Sequence, residues 1–363
     1  MKANERYLKG SFKIDRTDLK MYDVKDEPFV IYGLYDVKNQ EGFRRMDEDV
    51  ARRVSDGVYN LHANTSGGRI KFTTDSPFMA LSAAVPRVTY RSIMTNLASA
   101  GFDVYVTENG AERYLLSIYP PLDLEDSYEG VYNLKDDGKV HEYTVYMPLY
   151  NDLSSLHLGF SETAYLGGPL NEYRYKTPVL YYGSSITQGA SASRPGMSYE
   201  AQISRELSCD FINLGFAGNA KGEDAMIEYL AGIECSVFVC DYDYNAPDVE
   251  HLENTHEKLF KEFRKTHKDT PVIFITRPFN GFERHDLALR RDVIYRTYIN
   301  ALKSGDSNVY FVDGFSILGD RGASDCFVDG THPNDLGFYR MACKIGSAVR
   351  CALDSLVAKT EGC

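Results

Sequence analysis

The hydrophobic rhythm of the chain changes once, near Lys176, and that change limits the folds open to it. Beyond it, the short apolar runs VLYY (179–182), FINL (211–214), SVFVCDY (236–242), PVIFIT (271–276) and NVYFVD (308–313) alternate with segments of helical spacing. Tyr199, Ile203 and Leu207 recur every fourth residue, and Phe338, Ala342, Ile345, Val349 and Leu353 every third or fourth. A continuous apolar strand is stable only when both of its faces are covered, and the intervening helices supply that cover. The prediction is an α/β domain with a mostly parallel sheet between helical layers. Ligands of such sheets bind beyond the carboxyl ends of the strands.

Before the change the rhythm is that of β structure. GRIKFTTD (68–75), FMALSAAV (78–85), FDVYVTE (102–108), RYLLSIYP (113–120) and EYTVYMPLY (142–150) are short and rich in β-branched and aromatic residues. Turn signals such as SGG and ENGAE separate them, as in a sandwich or jelly roll. One helix is expected over RRMDEDVARRVSDGV (44–58). A length of 363 residues suits two cores. The boundary is placed in LGGPLNEYRYKTP (166–178), giving an antiparallel β domain over 1–172 and an α/β domain over 173–363.

Composition removes several classes of function. A formal net charge of −12 disfavours nucleic acid and anionic membrane surfaces as partners. No apolar run approaches the roughly 18 residues of a membrane span. The opening MKANERYLKGSFKIDRTDLK has no apolar core of a signal peptide, so a cytoplasmic protein is expected. Seven scattered cysteines fit reduced thiols better than a disulfide framework. The oligomeric state is left open, a homo-oligomer included. His251 and His256 are five apart rather than four, and no Cys-x-x-Cys occurs, so no metal is expected. Both histidines are read as solvated helix positions.

The strand ends carry the chemistry. Ser184 and Ser185 follow VLYY; Gly215 and Gly218 follow FINL in GFAGNA; Asn245 follows SVFVCDY; and DGTHPND sets Asp329 three residues before His332. Each alone has a plain reading as a turn residue or a helix start, with Pro333 able to open the last helix. Together they hold every part of an acyl-transfer site. A serine needs an adjacent base, an imidazole can act as one, and a carboxylate holds its tautomer. Backbone N–H groups and an amide can bind the oxyanion. GSSIT lacks the second glycine of the α/β-hydrolase nucleophile elbow.

In these blocks the chain resembles the SGNH hydrolases, or GDSL esterases. GSSITQG (183–189) is similar to their first block and sets the nucleophile on Ser185. Gly218 in NLGFAGNA matches the second block, Asn245 in DYDYNA the third, and Asp329 and His332 in DGTHPND the last. The resemblance spans roughly 179–349, with the blocks in the family order. It implies a flavodoxin-like α/β/α domain and an oxyanion hole made by Ser185, Gly218 and Asn245. Catalysis would fall to Ser185, His332 and Asp329, with no cofactor. Ser184 stands where the family has Asp, and its expected work is a hydrogen bond that shapes the turn. Asp243 and Ala246 stand where the family has Gly and Asp beside the asparagine. GFDVY (101–105) resembles the Gly-x-Asp-Leu-Tyr motif of a subgroup with an N-terminal β domain.

The expectation is therefore a serine esterase acting on small acyl esters, acetyl above all, with acetylated oligosaccharides as the substrate class the resemblance suggests. Two rivals are a carbohydrate-binding protein on an inactive hydrolase fold and a lipase or thioesterase of the same fold.

Overall fold

The structure is a computed structural model that describes residues 10–11, 13–279 and 286–361. The first nine residues of the stretch read for a leader lie outside them. The chain divides into two compact units. The first takes the described parts of Met1–Arg45 with Ala63–Glu172 and Ser193–Gly196; the second takes Met46–His62, Tyr173–Ala192 and the described part of Met197–Cys363. A single cut at 172/173 therefore misses two short exchanges.

The first unit begins with strands β1 (Gly10–Ser11), β2 (Leu19–Asp23) and β3 (Val30–Tyr32). The helix expected over 44–58 is two helices, α1 (Glu48–Val54) and α2 (Asp56–Leu61). Ser55 breaks them, because its extended backbone ends the first while its side chain accepts from Val58 N–H and caps the second. Both belong to the second unit. Met46, Ala51, Val58 and Leu61 are buried in that unit's core. Burial of each large side chain stabilises by about 1.5–3 kcal/mol, enough to decide which core a short amphipathic pair joins.

The first unit continues through β4 (Arg69–Thr74), β5 (Phe78–Ala84), α3 (Asn96–Ala100), β6 (Phe102–Glu108), β7 (Ala111–Ile118), β8 (Ser127–Asn133), β9 (His141–Tyr146), β10 (Ser155–Ser161) and β11 (Leu166–Gly167). Two antiparallel sheets result, in orders β1-β8-β5-β10-β2 and β11-β4-β9-β6-β7, with β3 beside β4. Ile70, Phe72, Leu81, Phe102, Val145, Leu158 and Phe160 from both sheets share one core, so this is the expected sandwich. The sequence reading missed the short β1, β2, β3 and β11 and the longer β8 and β10. SYEGVYN and SLHLGFS carry glycine and polar residues that dilute the strand pattern, and neighbouring strands, not propensity, hold them.

In the second unit β12 (Tyr175–Gly183), β13 (Cys209–Gly215), β14 (Val237–Asp241), β15 (Val272–Ile275) and β16 (Val309–Val312) form one parallel sheet. Its order is β13-β12-β14-β15-β16, the flavodoxin-like order. Beside α1 and α2 its helices are α4 (Ser185–Gln188), α5 (Tyr199–Leu207), α6 (Asp224–Ala231), α7 (Val249–Thr266), α8 (Leu287–Lys303), α9 (Gly314–Ile317) and α10 (Asp335–Glu361). Every residue of β14 and β15 is buried, as the unbroken apolar runs require. The chain reverses direction across the sheet at β12, so the ends of β12, β13 and β14 open at the switch point. Among the described residues no helix is long and apolar enough to cross a membrane, and no disulfide joins the six described cysteines.

His256 is not a solvated residue. It is buried on α7 with Nδ1 2.9 Å from Thr297 Oγ1. Burial pushes its pKa down to about 3, so it is a neutral packing group. His251 is half-buried and its Nε2 lies 2.7 Å from the carbonyl of Lys221.

Candidate active site

Each block predicted at a strand end lies at a carboxyl end of the parallel sheet or in the loop leading to α10. Gly183 closes β12, and a side chain there would run into Thr187 Oγ1 and stand 2.6 Å from the Asp241 carbonyl. The missing side chain lets the short α4 press on the end of the sheet. Ser184 is buried, and its Oγ accepts the Ile186 N–H at 3.1 Å. It is the N-cap of α4, which is the turn-shaping bond expected of it. Ser185, the first residue of α4, is half-buried.

Ser185 Oγ lies 2.9 Å from His332 Nε2, and His332 Nδ1 lies 2.8 Å from Asp329 Oδ2. The three groups form one hydrogen-bonded line, with the serine as donor when Nδ1 carries the imidazole proton. Asp329 Oδ1 accepts the backbone N–H of His332 at 2.8 Å and of Thr331 at 3.0 Å. Partial burial raises the carboxyl's pKa, but the bonds from the His332 backbone and ring and the Thr331 backbone outweigh it and hold it below the ordinary value. The loop is closed by Val328 N–H donating to the His332 carbonyl. Pro333 does not open the final helix. Its neighbour Asn334 does, with Oδ1 accepting from Leu336 and Gly337 N–H ahead of α10.

Gly218 follows β13 in a left-handed conformation, φ 73°, with open space where a side chain would stand. The turn around it hangs on the Phe216 carbonyl, which accepts from Asn219 and Ala220 N–H. Asn245 Nδ2 donates to that same carbonyl at 2.8 Å. The bond orients the amide and uses one of its two hydrogens. Ser185, Gly218 and Asn245 thus stand at the ends of three adjacent strands, β12, β13 and β14.

Sequence reasoning noted Asp243 as a departure beside Asn245 but gave no role to Asp241, Arg277 or Arg290 beneath it. Asp243, at the position where the family resemblance has glycine, is wholly buried. Its carboxylate accepts from Arg290 Nε at 2.8 Å and from Arg277 N–H at 3.0 Å. Arg290 Nη2 also donates to the carbonyls of Asp243 at 2.5 Å and Ala246 at 2.7 Å. One guanidinium from α8 therefore grips the backbone on both sides of Asn245. A buried charge pair of this kind fixes geometry, because its members cannot part without leaving an uncompensated charge. The only sequence signal was an acid where a glycine is usual, and nothing local marked Arg290 as its partner.

Asp241 ends β14 fully buried, and its Oδ2 accepts from Thr187 Oγ1 at 3.1 Å and Tyr199 OH at 3.0 Å. Burial pushes its pKa up to about 7 against the help of those two donors, with the Asp243 charge adding to the rise. Unfolded, the group titrates at its ordinary 3.8. Between these values the folded chain keeps a proton that the unfolded chain has released. Stability from this group is thus full below about pH 4 and lost as pH rises through about 7. Asp241→Asn is expected to raise the melting temperature above about pH 7 and to change it little near about pH 4. Equal shifts at both ends of a thermal-denaturation series would contradict that origin.

No cluster of three or more His, Cys, Asp or Glu residues placed to hold a metal occurs among the described residues.

Residues 176–350 match the GDSL-like lipase/acylhydrolase family, and residues 19–166 match the GxDLY domain described as the N-terminus of SGNH-hydrolase-type esterases. No curated protein matches the chain in sequence. Among solved structures, a GDSL-like lipase from Bacteroides ovatus is 31% identical, with a TM-score of 0.84 over 93% of this chain and 98% of its own. The salicylyl-acyltransferase SsfX3 of a tetracycline biosynthetic pathway is 18% identical, with a TM-score of 0.74 over 92% of this chain and 98% of its own. A family two carbohydrate esterase from Clostridium thermocellum, solved with cellohexaose, is 15% identical, with a TM-score of 0.62 over 90% of this chain and 99% of its own.

Proposed function

Since the chain belongs to the GDSL-like lipase/acylhydrolase family, we propose that it is a serine esterase releasing small acyl groups, acetyl above all, from oligosaccharides. The observation that carries this reading is the continuous line from Ser185 Oγ through His332 to Asp329, at 2.9 and 2.8 Å. Ser185 Oγ attacks the ester carbonyl while His332 Nε2 takes the hydroxyl proton. The carbonyl oxygen becomes an oxyanion that accepts from the N–H groups of Ser185 and Gly218 and from Asn245 Nδ2. Collapse breaks the bond to the alcohol oxygen, which leaves with the proton from His332. Water, deprotonated by the same nitrogen, then frees the acid and restores Ser185. Asp329 stays ionised and stabilises the imidazolium at each transfer.

Asn245→Ala tests the oxyanion assignment. Loss of a donor used only in the transition state is expected to lower kcat by about 10²–10³ with KM little changed. Steady-state kinetics that show a raised KM alone would return Asn245 to a turn-shaping role.

The substrate class leans on likeness of fold to carbohydrate esterases and on what lipases need. An enzyme of aggregated lipid works at an interface, through an exposed apolar face or an amphipathic segment. A net charge of −12 opposes approach to anionic lipid. Activity on nitrophenyl esters is expected to fall steeply beyond acetate and propionate, and acetate to be released from acetylated oligosaccharides. A chain-length series with a maximum at octanoate, raised further by micelles, would replace this reading with a lipase. A sugar-array signal without turnover would indicate a binding protein instead.

A further inference from the structure

The mechanism above leaves one motif unused. In GFDVY, Asp103 lies on β6 with no exposure, and its carboxylate takes three donors. Ser117 Oγ donates to Oδ1 at 2.7 Å; Arg194 Nη1 and Gly196 N–H donate to Oδ2 at 2.7 and 2.8 Å. Arg194 Nη1 also donates to Tyr105 OH at 2.7 Å, and its guanidinium stands 4.1 Å from the centroid of the Tyr114 ring. The Tyr105 ring fills the space of a side chain at Gly196, where an added Cβ would stand 2.6 Å from its hydroxyl. Thr95 Oγ1 holds the Ser193 carbonyl at 2.7 Å. These bonds explain why Ser193–Gly196 belongs to the β unit although Ala192 and Met197 on either side do not.

Arg194 comes nine residues after Ser185. The connection is short and strained. Ala190 N–H donates to the carbonyl of Ser185 itself at 2.9 Å, and Gly189 is left-handed. Ser191 is left-handed too, at φ 71°, a region that a residue with a side chain seldom enters. Its Oγ is buried with no partner among the described residues, so no bond of its own side chain explains the conformation. Such a residue keeps its backbone only when the chain is fixed on both sides. On one side is the carbonyl of Ser185. On the other is the grip of Asp103 and Tyr105 on Arg194 and Gly196.

We propose that Asp103 and Tyr105 are positioning residues for the nucleophile: by latching Arg194 and Gly196 they set the loop 189–192 and, through it, the aim of Ser185 Oγ at His332. The residue types fit this work. A carboxylate offers two oxygens to a guanidinium, a backbone N–H and a hydroxyl together, where an amide would turn a donor toward one of them. Tyrosine supplies a flat face for the glycine and a hydroxyl for the arginine. The proposal rests on Ser185 being the esterase nucleophile.

The test compares wild type, Asp103→Asn and Gly196→Ala. Three quantities are read on each: kcat and KM for nitrophenyl acetate, the rate of Ser185 phosphonylation by a fluorophosphonate, and the melting temperature. Misplacing a reacting group by a fraction of an ångström lowers rate without touching binding. Asp103→Asn is therefore expected to lower kcat at least about tenfold, with KM within about threefold and phosphonylation slowed in parallel. Gly196→Ala keeps every charge and displaces only Tyr105, so it carries the test if Asp103→Asn does not fold. Tyr105→Phe, which loses one hydroxyl, carries it if neither does. Folded variants with kcat and phosphonylation within about twofold of wild type, whatever their melting temperature, would overturn the latch. A wild type that hydrolyses no ester but is phosphonylated at Ser185 would remove the esterase reading and leave the latch to be judged on the phosphonylation rates. A wild type inert to both would overturn the two together.

Discussion

Ser185→Ala is expected to lower ester turnover by about 10⁶-fold while the fold and melting temperature stay near those of wild type. Ser185 Oγ makes the bond to His332 Nε2, and a half-buried hydroxyl at the first position of α4 holds no part of the core. Ser184→Ala is the matched control. Its hydroxyl is buried and caps α4 through the Ile186 N–H, so its loss removes a structural bond. That should cost about 1 kcal/mol of stability and leave most of the turnover. Rates and thermal unfolding of the two variants side by side decide between adjacent serines. A phosphonate adduct recovered on Ser184 would reverse the assignment.

His332→Ala should approach the same loss, near 10⁶, because in the proposed mechanism both proton transfers pass through its Nε2; Asp329→Ala should lose less, near 10⁴. The acid does not take the proton. In the proposed mechanism it fixes the ring and stabilises the imidazolium, so an imidazole without it retains part of its function. Asp329 has a second task in the loop. Its Oδ1 receives the backbone N–H groups of Thr331 and His332, so truncation also loosens the loop that carries the base. Asp329→Asn separates the two effects: its side-chain oxygen can still accept the backbone bonds, while its amide cannot accept from Nδ1. Asp329→Ala with both activity and melting temperature reduced, and Asp329→Asn with activity reduced alone, is the expected pair. Full activity in Asp329→Ala would make the site a serine–histidine dyad.

What could be read from the sequence was local. Strand runs such as VFVCD and VIFI are legible because burial on both faces excludes polar residues from every position. The proposed nucleophile, base and acid were legible for a related reason. Ser185 must follow a strand end, and Asp329 and His332 share one loop, so each block carries its own short-range spacing. The left-handed Gly218 and the capping Ser184 belong to the same class, since turn and cap chemistry is settled within three residues.

The remainder was decided by partners distant in the chain. Nothing within 44–61 says that α1 and α2 pack in the second unit; Met46, Val58 and Leu61 are apolar residues that either core could bury. His256 has the spacing of a solvated helix position until Cys240, Phe274 and Thr297 close around it. Asp243 finds Arg290 47 residues on, and Asp103 finds Arg194 91 residues on. A hydrophobic pattern records which face of an element turns inward, because that cost falls on every residue of the element. The choice of partner for one buried charge falls on a single pair, whose separation follows from topology, and a single pair leaves no periodic trace in the sequence.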